Sequence, residues 1–296
     1  MNDTLIIGTR GSPLAMAQTT LVRNLLSAAH PTLTIEVRVI KTSGDLFGDV
    51  SLVKAGGKGL FTKEIEDQLL EKKIHLAVHS LKDLPTTLPE GLRVGATPPR
   101  EDVRDVFIAR AANKPGELPI GARVGTSSLR RRAQLMSRRP DLQIVEVRGN
   151  VGTRLRKLTE GENLDAIILA AAGLKRLGLY DERWPMLDVT EMLPAVGQGI
   201  IAIETRADDT ATIATLAAIN DADTMLCGEA ERAFLRAAGG GCQLPYGAHA
   251  TVTGDRLHLV AAKFTPDGSR VWKAELSGAK RDAHKLGEET ARKILE

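Results

Sequence analysis

A strand, a short turn and a helix recur in that order through much of the chain, and this repetition limits the fold more than any other feature. Leu5-Ile6-Ile7 reads as a strand, Gly8-Thr9-Arg10-Gly11 as a loop, and Ser12-Pro13 as an N-cap with proline at the first helical position. Leu14, Leu21, Val22, Leu25 and Leu26 then recur with helical spacing. The order repeats as a strand over 35–40, a glycine-rich loop through Gly59, a helix from Phe61 with Ile65 and Leu69 on one face, and a strand over 75–78. It returns as 124–128 leading into a helix over 129–137, and as 144–147 leading through Arg148-Gly149-Asn150 into a helix that holds Arg154. Such units predict α/β domains with largely parallel sheets. In these sheets ligands sit beyond the carboxyl ends of the strands, where helix N-termini favour anions.

Pro98-Pro99 marks one domain boundary and the neighbourhood of Leu193-Pro194 a second, ahead of a strand-like run over 199–203. From about Asp221 onward, a helix, a glycine-rich loop, strands over 248–253, 257–263 and 271–276, and a terminal helix read as a small α+β domain. With 296 residues, 43% hydrophobic and 26% charged, the chain has room for two or three such domains, and disordered and fibrous classes are excluded. The longest apolar run, 166–174, is too short to span a bilayer, and no apolar signal core precedes the first strand, so cytoplasmic residence is expected. Two cysteines make no disulfide framework, and Cys227, inside a helical pattern, reads as a small buried hydrophobe. Six histidines form no metal-ligating spacing, so no metal is expected; neither a complete G-x-G-x-x-G after a strand nor a Walker A sequence is present.

A net charge of +3 hides an uneven distribution. Residues 121–158 carry ten basic side chains against two acidic ones, a local net of +8, and nine of the ten are arginines (Arg123, Arg130, Arg131, Arg132, Arg138, Arg139, Arg148, Arg154 and Arg156). Planar guanidinium forks suit carboxylate or phosphate, and with aromatics at 3% no stacking platform for nucleic acid is visible, so a small polyanion is the expected partner. Arg138, Arg139, Arg156 and Lys157 read as a solvated helix face. Arg10, Arg130, Arg131, Arg148 and Arg154 flank strand-to-helix turns and can converge on one anion-lined cleft.

Two further segments carry chemistry. Gly239-Gly240-Gly241-Cys242-Gln243-Leu244-Pro245-Tyr246-Gly247 sets a thiol on a bent loop that backbone or ligand can approach closely, either as a covalent attachment point or nucleophile or as a plain junction residue. In Ala77-Val78-His79-Ser80-Leu81-Lys82-Asp83-Leu84-Pro85 an apolar strand runs into Ser, Lys and Asp; Asp83 either caps the turn before Pro85 or faces a ligand as a cation-stabilising, proton-shuttling carboxylate.

Taken together, 8–15, 57–61, 78–85, 125–131, 148–155, 170–178, 194–199 and 240–245 resemble the porphobilinogen deaminase (hydroxymethylbilane synthase) family, in order from residue 6 to about residue 250. The resemblance implies two periplasmic-binding-protein-like (type II) α/β domains with a crossover, 1–98 with 199–218 and 99–198, plus a small α+β domain over 219–296. It implies a dipyrromethane cofactor on a thioether to Cys242. It also implies Asp83 as the catalytic carboxylate, acting as porphobilinogen loses ammonia to give an azafulvene that the growing chain's terminal ring attacks. Four units join before water releases a linear tetrapyrrole. Each ring brings an acetate and a propionate, for which the resemblance supplies Arg10, Arg130, Arg131, Arg148, Arg154 and Arg176, with Ser12, Lys82, Thr126, Ser127, Ser128 and Gln198 as further ligands. Lys54 and Lys58 belong to an expected lid, with Phe61 behind it. A cytoplasmic monomer, bound to neither nucleic acid nor membrane, is implied. The chain departs from the pattern at Tyr246, where a smaller apolar residue is expected. A two-domain small-anion binding module is the rival reading; it leaves Cys242 without a role.

Overall fold

The computed structural model describes residues 4–43, 62–161, 163–240 and 244–296. The chain divides into two compact units, Met1–Arg100 with Ile200–Met225, and Glu101–Gly199 with Leu226–Glu296. Along it run β1 (Thr4–Thr9), α1 (Pro13–Ala29), β2 (Thr34–Val39), α2 (Lys63–Leu70), β3 (Leu76–Ser80) and β4 (Leu92–Ala96). Next come β5 (Asp105–Ala109), β6 (Arg123–Gly125), α3 (Leu129–Arg138), β7 (Gln143–Val145), α4 (Val151–Thr159), β8 (Ala166–Ala170), α5 (Ala171–Arg176) and β9 (Met186–Leu187). The remainder comprises β10 (Ile201–Arg206), α6 (Thr210–Leu216), α7 (Ala222–Ala237), β11 (Tyr246–Thr253), β12 (Arg256–Phe264), β13 (Val271–Ala279) and α8 (Ala283–Leu295). No helix among the described residues is long and apolar enough to cross a membrane.

The first unit holds a five-stranded sheet ordered β2-β1-β3-β10-β4, and the second a five-stranded sheet ordered β7-β6-β8-β5-β9. β1 pairs in parallel with β2 and β3, and β6 with β7 and β8; β10 runs antiparallel to β3 and β4, and β5 to β8 and β9. The expected largely parallel sheets are therefore mixed. The reversed strand in each is the first one after the chain passes from one unit into the other, at Arg100/Glu101 and at Gly199/Ile200. Two such sheets flanked by helices make a pair of α/β domains with the same strand order.

Hydrophobic periodicity explains how the helices dock. α1 buries Val22 and Leu26 against Leu5, Ile7, Leu76 and Ile203 on one face of the first sheet, and α2 buries Ile65 and Leu69 with Ile74 and Ala77 on the other. Each fully buried aliphatic side chain of this kind contributes about 1.5–3 kcal/mol relative to exposure. β11, β12 and β13 form an antiparallel sheet, whose core joins Leu257 and Leu259 to Phe234 of α7 and to Leu286 and Ile294 of α8. Gly268, at φ +73°, docks the β12–β13 turn on α3: a Cβ there would lie 2.3 Å from the Ala133 carbonyl oxygen.

Candidate active site

In the first unit β1 and β3 are parallel neighbours, Gly8 opposite Ala77, so the loop holding Arg10 and Ser12 and the turn holding Lys82 and Asp83 leave the same edge of the sheet. α1 ties that edge together: Gln18 Nε2 donates to Ser80 Oγ at 2.7 Å and Thr19 Oγ1 to Thr9 Oγ1 at 2.8 Å. The 3-10 turn Leu81–Asp83 is anchored by buried Leu81 and Leu84, packed with Ile200 and Ala202, and by Leu81 N–H donating to the Ile200 carbonyl at 3.0 Å. Asp83 stands exposed between the two leucines. A carboxylate on a turn pinned at both sides keeps its direction while remaining open to ligand. Ser12 Oγ caps α1 by accepting from Ala15 N–H at 3.3 Å, which leaves its own proton for a carboxylate.

In the second unit three parallel strands end on one edge, at Gly125, Val145 and Ala170, and the turns beyond them carry the expected arginines and hydroxyls. Because β5 runs backwards, its first residue, Asp105, pairs with Ala170 at that edge. Asp105 is fully buried; its Oδ2 accepts from Arg130 Nη2 at 2.7 Å, and its Oδ1 accepts from Arg131 Nη2 at 2.7 Å and from Gln198 Nε2 at 2.9 Å. Arg130 Nη1 also donates to the Leu193 carbonyl at 2.5 Å, and Arg131 Nη1 to the Ile168 carbonyl at 2.9 Å. Arg176 Nη2 donates to the Gly199 carbonyl at 2.7 Å. Glu231, buried in α7, accepts from Gly197 N–H at 2.7 Å and from Ala250 N–H at 2.8 Å, so the segment bearing Gln198 is stapled to β11.

Thr126 Oγ1 accepts from Ser128 N–H at 3.1 Å and Ser128 Oγ caps α3 at Arg131 N–H, so both hydroxyls keep a proton to offer. Ser127 departs from the expected ligand role: its hydroxyl donates to the Val147 carbonyl and ties the β6 turn to the end of β7. Arg148 Nε donates to Glu146 at 2.8 Å, and Arg154 Nε to the Gly149 carbonyl at 2.8 Å. These two guanidiniums flank the next turn and do not join the Asp105 group through any of those bonds. Arg139 is a correction as well. It does not lie on a solvated face, because its guanidinium gathers the Pro115 and Leu118 carbonyls and the Asp141 carboxylate. Lys54, Lys58, Phe61 and Cys242, with the loop expected as a lid, lie outside the described residues.

Electrostatics suit an anionic ligand. Burial alone would raise the Asp105 pKa, but the Arg130 and Arg131 guanidiniums hold it well below the usual carboxylate range, so it stays ionised. One carboxylate thus faces two cations. Burial pulls Arg130 below its ordinary value and draws Arg176 down to about 10, with only Glu101 opposing. The Nε atoms of Arg130, Arg131 and Arg176 are buried donors with no acceptor among the described residues, each a cost of about 1–3 kcal/mol that an incoming carboxylate can offset. A buried site with excess positive charge and spare donors fits the carboxylate-rich dipyrromethane group. Among the described residues no group of three or more His, Cys, Asp or Glu could hold a metal ion.

A family model described as the porphobilinogen deaminase dipyromethane cofactor binding domain matches residues 5–214, and one described as the C-terminal domain of the same enzyme matches residues 225–296. The chain belongs to the porphobilinogen deaminase family. The porphobilinogen deaminase of Syntrophobacter fumaroxidans is 49% identical over 297 residues, covering 100% of this chain and 96% of the relative. That of Trichlorobacter lovleyi is 51% identical over 291 residues, covering 98% and 93%. Among solved structures, the methionine-binding protein MetQ aligns over 76% of this chain and 93% of its own, at 11% identity and a TM-score of 0.47. Within the deaminase framework, Asp105 and Glu231 are the residues that sequence reasoning passed over. Tyr246, the departure from the family pattern, donates from its hydroxyl to the Ala238 carbonyl at 3.2 Å and stands edge-on to Phe234 with centroids 5.9 Å apart; burial pushes its phenol up. The larger side chain fills space beside α7, and Cys227 is the buried small residue expected of it.

Proposed function

We propose that this chain is a transferase that joins four porphobilinogen molecules head to tail, releasing ammonia at each step, and then frees the linear tetrapyrrole hydroxymethylbilane by hydrolysis. The dipyrromethane group, on a thioether to Cys242, supplies the pyrrole α-carbon onto which the first substrate is added. Asp83 holds pyrrole N–H groups, stabilises the cation left when ammonia departs and moves a proton at the reacting ring. Arg10, Arg130, Arg131, Arg148, Arg154 and Arg176, with Ser12, Lys82, Thr126, Ser128 and Gln198, hold ring acetates and propionates; Lys54, Lys58 and Phe61 complete the proposed cofactor- and substrate-binding set. Ser127 enters this set through its turn, not its proton.

The observation that carries the site assignment is the excess of buried guanidinium at the second sheet's edge, with its spare donors. The division into domains 1–98 with 199–218, 99–198 and 219–296 is supported by the three sheets, one in each. Action on a small molecule and not on nucleic acid accords with a chain of 3% aromatic residues whose arginines cluster at turns, and the protein acts as a cytoplasmic monomer. Intact-protein mass tests the whole reading. Freshly purified active protein should exceed the bare polypeptide by one dipyrromethane, and Cys242→Ala should match the bare mass. An active wild-type protein at bare mass would favour the small-anion binding module.

A further inference from the structure

We infer that Asp105 is a positioning residue: it sets the planes of Arg130 and Arg131 and the amide of Gln198 so that all three meet ligand carboxylates in one arrangement. The inference rests on the carboxylate-binding role proposed above for those three residues. Asp105 hydrogen-bonds to each of them, although they come from α3 and from the segment after Leu193, and β5 alone brings it to the edge where they gather. Each guanidinium is gripped at both Nη atoms, once by Asp105 and once by a main-chain carbonyl, which fixes its rotation and leaves Nε as the unclaimed donor. The balance of charge matters as much as the geometry. A single carboxylate shared by two guanidiniums leaves one positive charge in excess, enough to draw a further carboxylate, while preventing the two cations from repelling each other out of line.

A purely structural ion group would stabilise the same elements, and the two roles differ in what they move. Asp105→Asn, Asp105→Glu, Arg131→Met and the double variant Asp105→Asn/Arg131→Met are purified from cells supplying porphobilinogen. Cofactor occupancy is read by intact mass, KM and kcat in the loaded fraction, and the melting temperature on the same samples. Asp105→Asn is expected to lower occupancy and raise KM about tenfold or more while kcat changes less, the effect of displacing binding groups by roughly an ångström. Asp105→Glu keeps the charge but shifts the guanidiniums, so it should recover the melting temperature without recovering KM; it carries the test alone if Asp105→Asn does not fold. The double variant should lose less in occupancy and KM than the two single variants combined, because the part of the Asp105 effect that passes through Arg131 is then already gone. Recovery of KM and melting temperature together in Asp105→Glu, or normal occupancy and KM in Asp105→Asn with only a lowered melting temperature, would overturn the inference alone. Normal occupancy and KM in Arg131→Met would overturn it together with the carboxylate-binding role on which it rests.

Discussion

At the edge of the first sheet Asp83 stands in solvent on a turn held by two buried leucines; at the same edge of the second sheet Asp105 is buried between two guanidiniums. Both sheets have the same strand order with the fourth strand reversed. What differs is where each places its acid. In the first, the reversed strand starts with the apolar Ile201 opposite Ser80, and the carboxylate lies beyond the third parallel strand; in the second, the reversed strand itself starts with the carboxylate, opposite Ala170. One architecture thus yields an acid open to solvent and an acid held ionised between two cations.

The most direct way to break this comparison is Asp83→Asn, expected to lower kcat by about 10²–10⁴-fold with an unchanged melting temperature, because an exposed side chain contributes little to stability. A near-normal rate would assign the proton chemistry elsewhere. Leu84→Ala tests the platform beneath it. Removing this 2%-exposed side chain should cost about 2–5 kcal/mol in denaturant unfolding, with a fall in kcat as the turn loosens.

Arg176→Met sharpens the other side. Its folded pKa of about 10 lies below the ordinary value, so its charge opposes folding at every pH below about 10, including neutrality. Ligand-free Arg176→Met should therefore melt at the same or a higher temperature while KM rises about tenfold, the loss of roughly 1.4 kcal/mol of binding. The smallest effect is expected at Asp102. The hydrogen bond from Arg104 lowers its pKa to about 2, so its contribution is complete above the unfolded value near 4 and disappears as pH falls through about 2. Asp102→Asn should remove about 1 kcal/mol at neutral pH and flatten that part of the acid-unfolding curve.

Much of this was legible in the sequence because it is local. Ser12-Pro13 starts α1, Ile65 and Leu69 share the buried face of α2, and the turns after β1, β6 and β7 carry the arginines. Strand direction was not legible: a short buried run reads alike in parallel and antiparallel neighbours, so β5 and β10 gave no sign of reversal. Asp105 escaped for the same reason, since its partners lie 25, 26 and 93 residues away and nothing beside it in Arg104-Asp105-Val106 marks a site. Arg139 looked like one more surface charge because the carbonyls it gathers belong to a loop some twenty residues earlier.

The place of β10 inside the first sheet bears on how the protein is made. Its hydrogen-bonding partners β3 and β4 leave the ribosome more than a hundred residues before it does. Throughout that interval the nascent chain carries two unpaired strand edges, whereas all five strands of the second sheet have emerged by Leu187. Synthesis from the N-terminus therefore finishes the later sheet first, and a ribosome stalled before Ile201 holds a protein whose opening domain is the part most open to mispairing.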